Sequence, residues 1–200
     1  MRNMIHMVTT MQSEKQTNTE TGITSNNQTF IEGHLELLSE VNFESVTGLA
    51  EKIWKLHYAA IVSNEQIEYM LAERFSSENL SKYINSDRRW FELLWFENQL
   101  VGYCSYSHIS ESNEMKLEQL YLLKSLRGKG LGGFMLRHVE AETRKRNIKK
   151  LMLQVNKRNN DSVSLYKKAG FKVRKEAIFD IGNGFVMDDY VMEKTLINEK

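Results

Sequence analysis

From Trp90 to Leu123 the chain runs through three bulky, period-two segments with no helical segment between them, and then enters Arg127-Gly128-Lys129-Gly130-Leu131-Gly132. Trp90–Phe96 turns through Glu97-Asn98-Gln99 into Leu100–Tyr106, and Ser110–Asn113 turns that run into Met115–Leu123. Strands joined by such short turns pair antiparallel, so the spacing predicts a three-strand meander. The glycine-rich turn follows, and an amphipathic run to about Arg146 predicts a helix behind it. A strand, a glycine turn and a helix N-terminus in succession let backbone approach a phosphate, because the first helical N–H groups lack partners and carry the positive end of the dipole.

The flanks complete the pattern. His34-Leu35-Glu36-Leu37 alternates within an expected strand Phe30–Val41, and Leu49, Ile53, Leu56 and Ala60 give helical spacing over Glu44–Ile61. Asn64 is read as the cap of a second helix with Ile67, Met70 and Leu71 on one face, and a shorter helix is expected over Ser77–Ile84. Beyond the glycine turn come a strand Lys150–Val155, a helix Asn159–Ala169 closed by Gly170, and two strands, Phe171–Asp180 and Phe185–Lys194, around Gly182-Asn183-Gly184. The expected class is α/β, with a mixed, mostly antiparallel sheet and helices on both faces.

Residues 1–29 stand apart. After Met11 they are almost wholly Gln, Ser, Thr, Asn, Glu and Lys, which cannot bury enough surface to offset ordering, so they are read as a disordered leader or as sequence upstream of a later start such as Met11. Residues 30–200 form the expected domain. A net charge of +1 gives no long-range attraction for nucleic acid or anionic lipid. No apolar run approaches the ~20 residues of a membrane span, and the lone Cys104 cannot form an internal disulfide, so a soluble cytoplasmic protein is expected. Cys104 reads as core, as do Trp90, Phe91, Trp95 and Phe96. Arg144-Lys145-Arg146 and Lys149-Lys150 read as cations complementing a helix end. His57, His108 and His138 lack metal-ligand spacing, so no metal is expected.

The turn is not a P-loop: Leu123 stands where that motif needs its first glycine, and Gly130 where it needs Ser or Thr. Gly128, Gly130 and Gly133 match the letters of a dinucleotide fingerprint, but the next strand ends Gln154-Val155-Asn156, without the acidic residue that binds a ribose. With Arg127, Gly130 and Gly132 the turn instead resembles the Arg/Gln-x-x-Gly-x-Gly/Ala signature of the GCN5-related N-acetyltransferases. A second block, Leu153-Gln154-Val155, Asn159, Ser162 and Leu165-Tyr166-Lys167-Lys168-Ala169-Gly170-Phe171, resembles that family's downstream segment. Lys124 replaces a frequent proline and Ser162 a frequent alanine. Ser63–Leu71 and Asp180–Met192 are further similar to the PaiA-type polyamine N-acetyltransferases of bacteria.

The resemblance implies about seven strands with a splay between the fourth and fifth, acetyl-CoA as donor, and a primary amine as acceptor, a polyamine such as spermidine or spermine. It also implies that Arg127, Gly128, Lys129, Gly130, Leu131 and Gly132 cradle the pyrophosphate. The main chain at Leu120, Tyr121 and Leu122 would serve the pantetheine. Asn159 either bonds the pantetheine or caps its helix, and Lys168 either assists or is a solvated helix lysine. Acetyl transfer needs a neutral amine, though a free alkylamine has a pKa of ~10.4, and a proton for the departing thiolate. Tyr166 matches the family's general acid, or packs beside Leu165. Glu118 is the candidate base, or faces solvent or pairs with Lys116 or a neighbouring strand. Glu65, Glu68, Asp180, Asp188 and Asp189 are candidates for meeting a cationic acceptor. Protein N-termini or lysines are alternative acceptors, and a non-catalytic acetyl-CoA sensor is the alternative of another class. Homodimers are common in the family.

Overall fold

The computed structural model describes residues 33–196. The leader expected over 1–29 lies outside them. Strand β1 (Gly33–Leu37) is followed by a 3-10 turn (Glu40–Asn42) and helices α1 (Phe43–Tyr58), α2 (Asn64–Phe75) and α3 (Ser77–Ser81). The meander is β2 (Arg89–Phe96), β3 (Gln99–Ile109) and β4 (Glu114–Leu122). A 3-10 turn (Lys124–Leu126), helix α4 (Leu131–Lys145), strand β5 (Lys150–Asn156) and helix α5 (Asn160–Lys168) follow, and the hairpin β6 (Lys172–Gly182) and β7 (Phe185–Thr195) closes the fold.

The seven strands lie in the order β1-β2-β3-β4-β5-β7-β6. Every neighbouring pair is antiparallel except β4–β5, which α4 joins as a crossover. Glu97 and Asn98 both take positive φ (50° and 59°), the twist a two-residue hairpin loop needs. Several expectations shift at element ends. The first strand stops at Leu37 rather than Val41, because Ser39 turns the chain into its 3-10 segment and leaves Val41 86% exposed. Ser63, not Asn64, caps α2, its hydroxyl accepting from Gln66 N at 3.2 Å. The third helix ends at Ser81 rather than Ile84, and the chain leaves it through turns closed by Tyr83 N→Leu80 O and Ile84 N→Ser81 O.

Each sheet face carries a core. Trp54, Ile67 and Leu80 from the first three helices pack on Phe91, Leu93 and Tyr103. On the opposite face Leu131, Met135 and Val139, at four-residue spacing along α4, pack on Cys104, Tyr106, Met115 and Leu151. Each such side chain contributes roughly 1.5–3 kcal/mol. Phe91 is core as expected, whereas Trp90, Trp95 and Phe96 are only half-buried: Trp90 stacks on Tyr106 beneath the Arg146 guanidinium, 4.0 Å from the ring centroid.

β4 and β5 pair only at Met115–Leu117 against Leu151–Leu153. In the β3–β4 register Ser105 faces Gln119 and Tyr106 faces Leu117, so Glu118 is an extra residue, a bulge. A bulge bends its strand and re-aims its side chains. Beyond it β4 stays tied to β3 as far as Leu122 while β5 stays tied to β7, and the two parallel strands part. Gly102 permits the close approach on the β3 side, since a Cβ there would meet the Tyr121 carbonyl oxygen at 2.6 Å.

Candidate active site

The parted strands open a cleft of about 850 Å³ between the Gln119–Leu122 and Gln154–Asn156 segments. At one end lies the glycine turn. Gly128 and Gly130 adopt φ of 81° and 82°, a region costly to any residue with a Cβ, and Gly130 occupies the N-cap of α4. Phe134 N→Gly130 O (2.9 Å) is the first helical bond, so the N–H groups of Leu131, Gly132 and Gly133 have no intrahelical acceptor. No side chain caps this end and no acidic residue stands in the first turn. A Cβ on Gly128 or Gly132 would meet nothing within 4 Å. Converging donors, a dipole end and open space form a site that fits a pyrophosphate.

Arg127 and Asn159 meet at His57. Arg127 Nη2 lies 3.2 Å from His57 Nδ1, and Asn159 Nδ2 lies 3.0 Å from Nε2. Asn159 Oδ1 accepts from Ser162 N, so the residue caps α5 while its amide nitrogen faces the cleft. A neutral imidazole offers one acceptor nitrogen, and burial with the Arg127 charge pushes His57 below its ordinary pKa. His57 therefore takes one donor at a time and leaves Arg127, at the mouth, able to turn toward an anion. Sequence reasoning weighed His57 only as a metal ligand.

Tyr166 lines the cleft from α5 and packs edge-on against Phe171. Burial, then the neighbouring Tyr58, pushes its phenol well above the ordinary range, so it keeps its proton at all physiological pH. Leu120, Tyr121 and Leu122 form the β4 wall, and the Tyr121 hydroxyl lies 2.6 Å from that of Tyr58. Three of the expected residues bring no side chain into the cleft. Leu131 is fully buried in the α4 core, Lys129 stands over the Phe96 ring, and Lys168 is exposed in the last turn of α5, where its charge complements the helix dipole.

The far end is richly charged. Glu118 faces the cleft but is held by three donors: Tyr83 Oη (2.7 Å) and Arg89 Nη2 (3.4 Å) on Oε2, and Ser107 Oγ (3.0 Å) on Oε1. It pairs with Arg89 rather than with Lys116. Burial and the Glu118 charge raise Tyr83 to about 12, so its hydroxyl remains a donor. Of the five carboxylates nominated for a cationic acceptor, Asp189 alone lines the cleft. Glu68 pairs with Lys55, Asp188 with Lys157, and Asp180 accepts from Gly182 N. Asp189 is 6% exposed, and its Oδ1 has no partner among the described residues. Burial, then Asp188, raises it to about 6. Arg74 and Lys116 also line this end and form no ion pair among the described residues; burial lowers Lys116 below the ordinary lysine range. No cluster of three or more metal-ligating side chains occurs among the described residues, and no helix there is long and apolar enough to cross a membrane.

A glycine turn with free N–H donors, a splayed parallel pair and a half-buried tyrosine on the same cleft suit a transferase whose acyl donor carries a phosphate. The chain belongs to the acetyltransferase (GNAT) family, whose model matches residues 51–171. It is an N-acetyltransferase with acetyl-CoA as donor. It is similar to the spermidine N(1)-acetyltransferase of Thermoplasma acidophilum, 30% identical over 155 residues that cover 76% of this chain and 92% of that protein. An uncharacterized N-acetyltransferase of Mycobacterium tuberculosis is 25% identical over 154 residues, covering 77% and 97%. Among solved structures, the PaiA N-acetyltransferase of Thermoplasma acidophilum in complex with coenzyme A matches with a TM-score of 0.70 at 27% identity, over 82% of this chain and 99% of that one.

Proposed function

We propose that the acceptor is a polyamine such as spermidine or spermine, acetylated on a primary amino group. The observation that carries this reading is the 30% identity to a spermidine acetyltransferase across nearly the whole of that relative, and the cleft-lining carboxylates Glu73 and Asp189 support it. When bound, acetyl-CoA supplies an acetyl thioester. The N–H groups of Leu131, Gly132 and Gly133, with Arg127, hold its pyrophosphate, and the open main chain of Leu120–Leu122 and the Asn159 amide hold the pantetheine. Tyr166 keeps a proton at Oη for the leaving sulfur. The rings of Trp54, Tyr58 and Tyr121 pack against one another along the same space.

Arg74 and Lys116 favour a second reading. Two cations without an ion pair among the described residues suit an amine that carries an acid group nearby, as on a protein N-terminus followed by an acidic residue. Thiol release from acetyl-CoA, measured with spermidine, spermine and N-terminal and lysine peptides in competition, decides between them. Spermidine and spermine are expected to drive release at least tenfold more efficiently than any peptide. Preference for an acidic peptide overturns the polyamine reading.

A further inference from the structure

We propose that Asp189, rather than Glu118, receives the reacting ammonium of the acceptor and takes its proton. The inference rests on an acceptor that arrives as a protonated primary amine, and it holds for a polyamine or a peptide alike. Its ground is geometric. Both oxygens of Glu118 are engaged, by Tyr83 and Arg89 on one side and Ser107 on the other. A carboxylate so held takes up a proton only by giving up a donor. Glu118 thus reads as the brace that fixes Tyr83 and Arg89 at the wall.

Asp189 has the complementary surroundings. It stands on the β7 face shared with Met187 and Val191, opposite Asn156 across the β5–β7 register, at the margin of the splay. The Asn156 amide steadies its charge, while Oδ1 is buried and without a donor among the described residues, on a side chain that lines the same cleft as Tyr166. A buried carboxylate oxygen without a donor is costly unless a ligand supplies one. An alkylammonium supplies it with charge.

The titratable groups facing Asp189 are Tyr58 from α1, Arg74 from α2, Lys116 from β4 and Asp188 on its own strand. Arg74 and Lys116 disfavour a third cation, which lowers the acceptor's pKa toward that of Asp189, itself raised to about 6. Oδ1 takes one N–H proton and leaves the nitrogen its lone pair. The C–N bond then forms as the C–S bond breaks, Tyr166 gives its phenolic proton to sulfur, and the second nitrogen proton returns through solvent to the phenolate. Asp189 releases its proton to solvent, so one amine, one acetyl thioester and one net proton are accounted for.

The test pairs D189N with E118Q, using whichever amine the wild-type enzyme turns over best. In the wild type, kcat/KM should fall tenfold per pH unit below about 6, where Asp189 is protonated. D189N should lose on the order of 10²–10⁴-fold in kcat/KM and lose that acid limb. Coenzyme A affinity by calorimetry should stay unchanged, and acceptor affinity for the coenzyme A complex should weaken. E118Q should keep the limb and change KM more than kcat. An acid limb retained in D189N, or lost in E118Q alone, overturns the assignment. If D189N fails to bind coenzyme A because its fold is lost, D189E is measured instead: a retained limb with a reduced rate supports the proposal, and loss of the limb overturns it. Failure of spermidine as acceptor, with a peptide turned over, sinks the polyamine reading and leaves Asp189 testable on the peptide.

Discussion

Tyr166 and Glu118 show how a polar side chain in one cleft can serve the chemistry or only brace the wall, according to what surrounds its polar atoms. Burial keeps the proton on the Tyr166 hydroxyl, which has no hydrogen-bond partner among the described residues, so the proton is there for a thiolate. Y166F removes one oxygen and keeps the ring against Phe171. We expect kcat to fall by about 10²–10⁴-fold, the range of a lost general acid, while coenzyme A affinity by calorimetry is unchanged. A variant turning over at the wild-type rate would remove Tyr166 from the chemistry. Tyr166 was legible in the sequence because its segment, Asn159 to Phe171, carried it. Asp189 was legible only as one carboxylate among five. Its signal is the strand period: Met187, Asp189 and Val191 are buried while the intervening Asp188 is exposed and Tyr190 half-buried, so the acid falls where burial belongs. What it meets there depends on Asn156, 33 positions earlier, and period alone says nothing of that.

Periodicity and turn chemistry revealed the meander, the crossover helix and the closing hairpin, because those are local properties of sequence. The splay was not local. It needs a bulge at Glu118, a close approach at Gly102, and two outer neighbours that hold β4 and β5 apart, and none of these leaves a mark in the β4 sequence itself. The splay was expected through the family resemblance alone, whereas His57 was missed: its partners, Arg127 and Asn159, come from elements 70 and 102 residues away. The glycine turn, by contrast, acts through backbone conformation that its own residues dictate. Gly130 at φ 82° sets the angle at which α4 presents its free N–H groups. Gly130→Ala should cost roughly 1–2 kcal/mol of stability for a left-handed alanine. Coenzyme A affinity should drop at least tenfold if the turn relaxes and tilts those donors. Thermal melts with and without coenzyme A separate the two effects: the stabilisation by ligand should shrink more than the unliganded midpoint falls. Equal stabilisation by coenzyme A in both proteins would show that this cap does not shape the cradle.

At the scale of the whole molecule, the cleft is bought with stability, and Asp189 lets that be measured. Its folded pKa is raised from an ordinary carboxylate value to about 6, chiefly by burial. The sign follows from linkage. A raised folded pKa favours the native state fully only below the unfolded pKa near 3.8, and that advantage is lost as pH rises through about 6. At pH 7 the native protein therefore carries a buried, ionised Asp189 at a cost of about 3 kcal/mol, roughly two pKa units at 1.36 kcal/mol each. D189N keeps the shape and removes the charge. Denaturant unfolding should show D189N more stable than the wild type at pH 7 by a sizeable part of that amount, with the difference vanishing near pH 3, where both side chains are neutral. The arrangement at Glu118, whose charge already has three donors, offers no such gain, so E118Q should destabilise at pH 7. Opposite signs for two carboxylates on one cleft would distinguish a group held ready for a ligand from a group that holds the wall. If D189N instead unfolds at lower denaturant than the wild type at pH 7, the Asp189 charge is satisfied within the fold and is not kept for an acceptor.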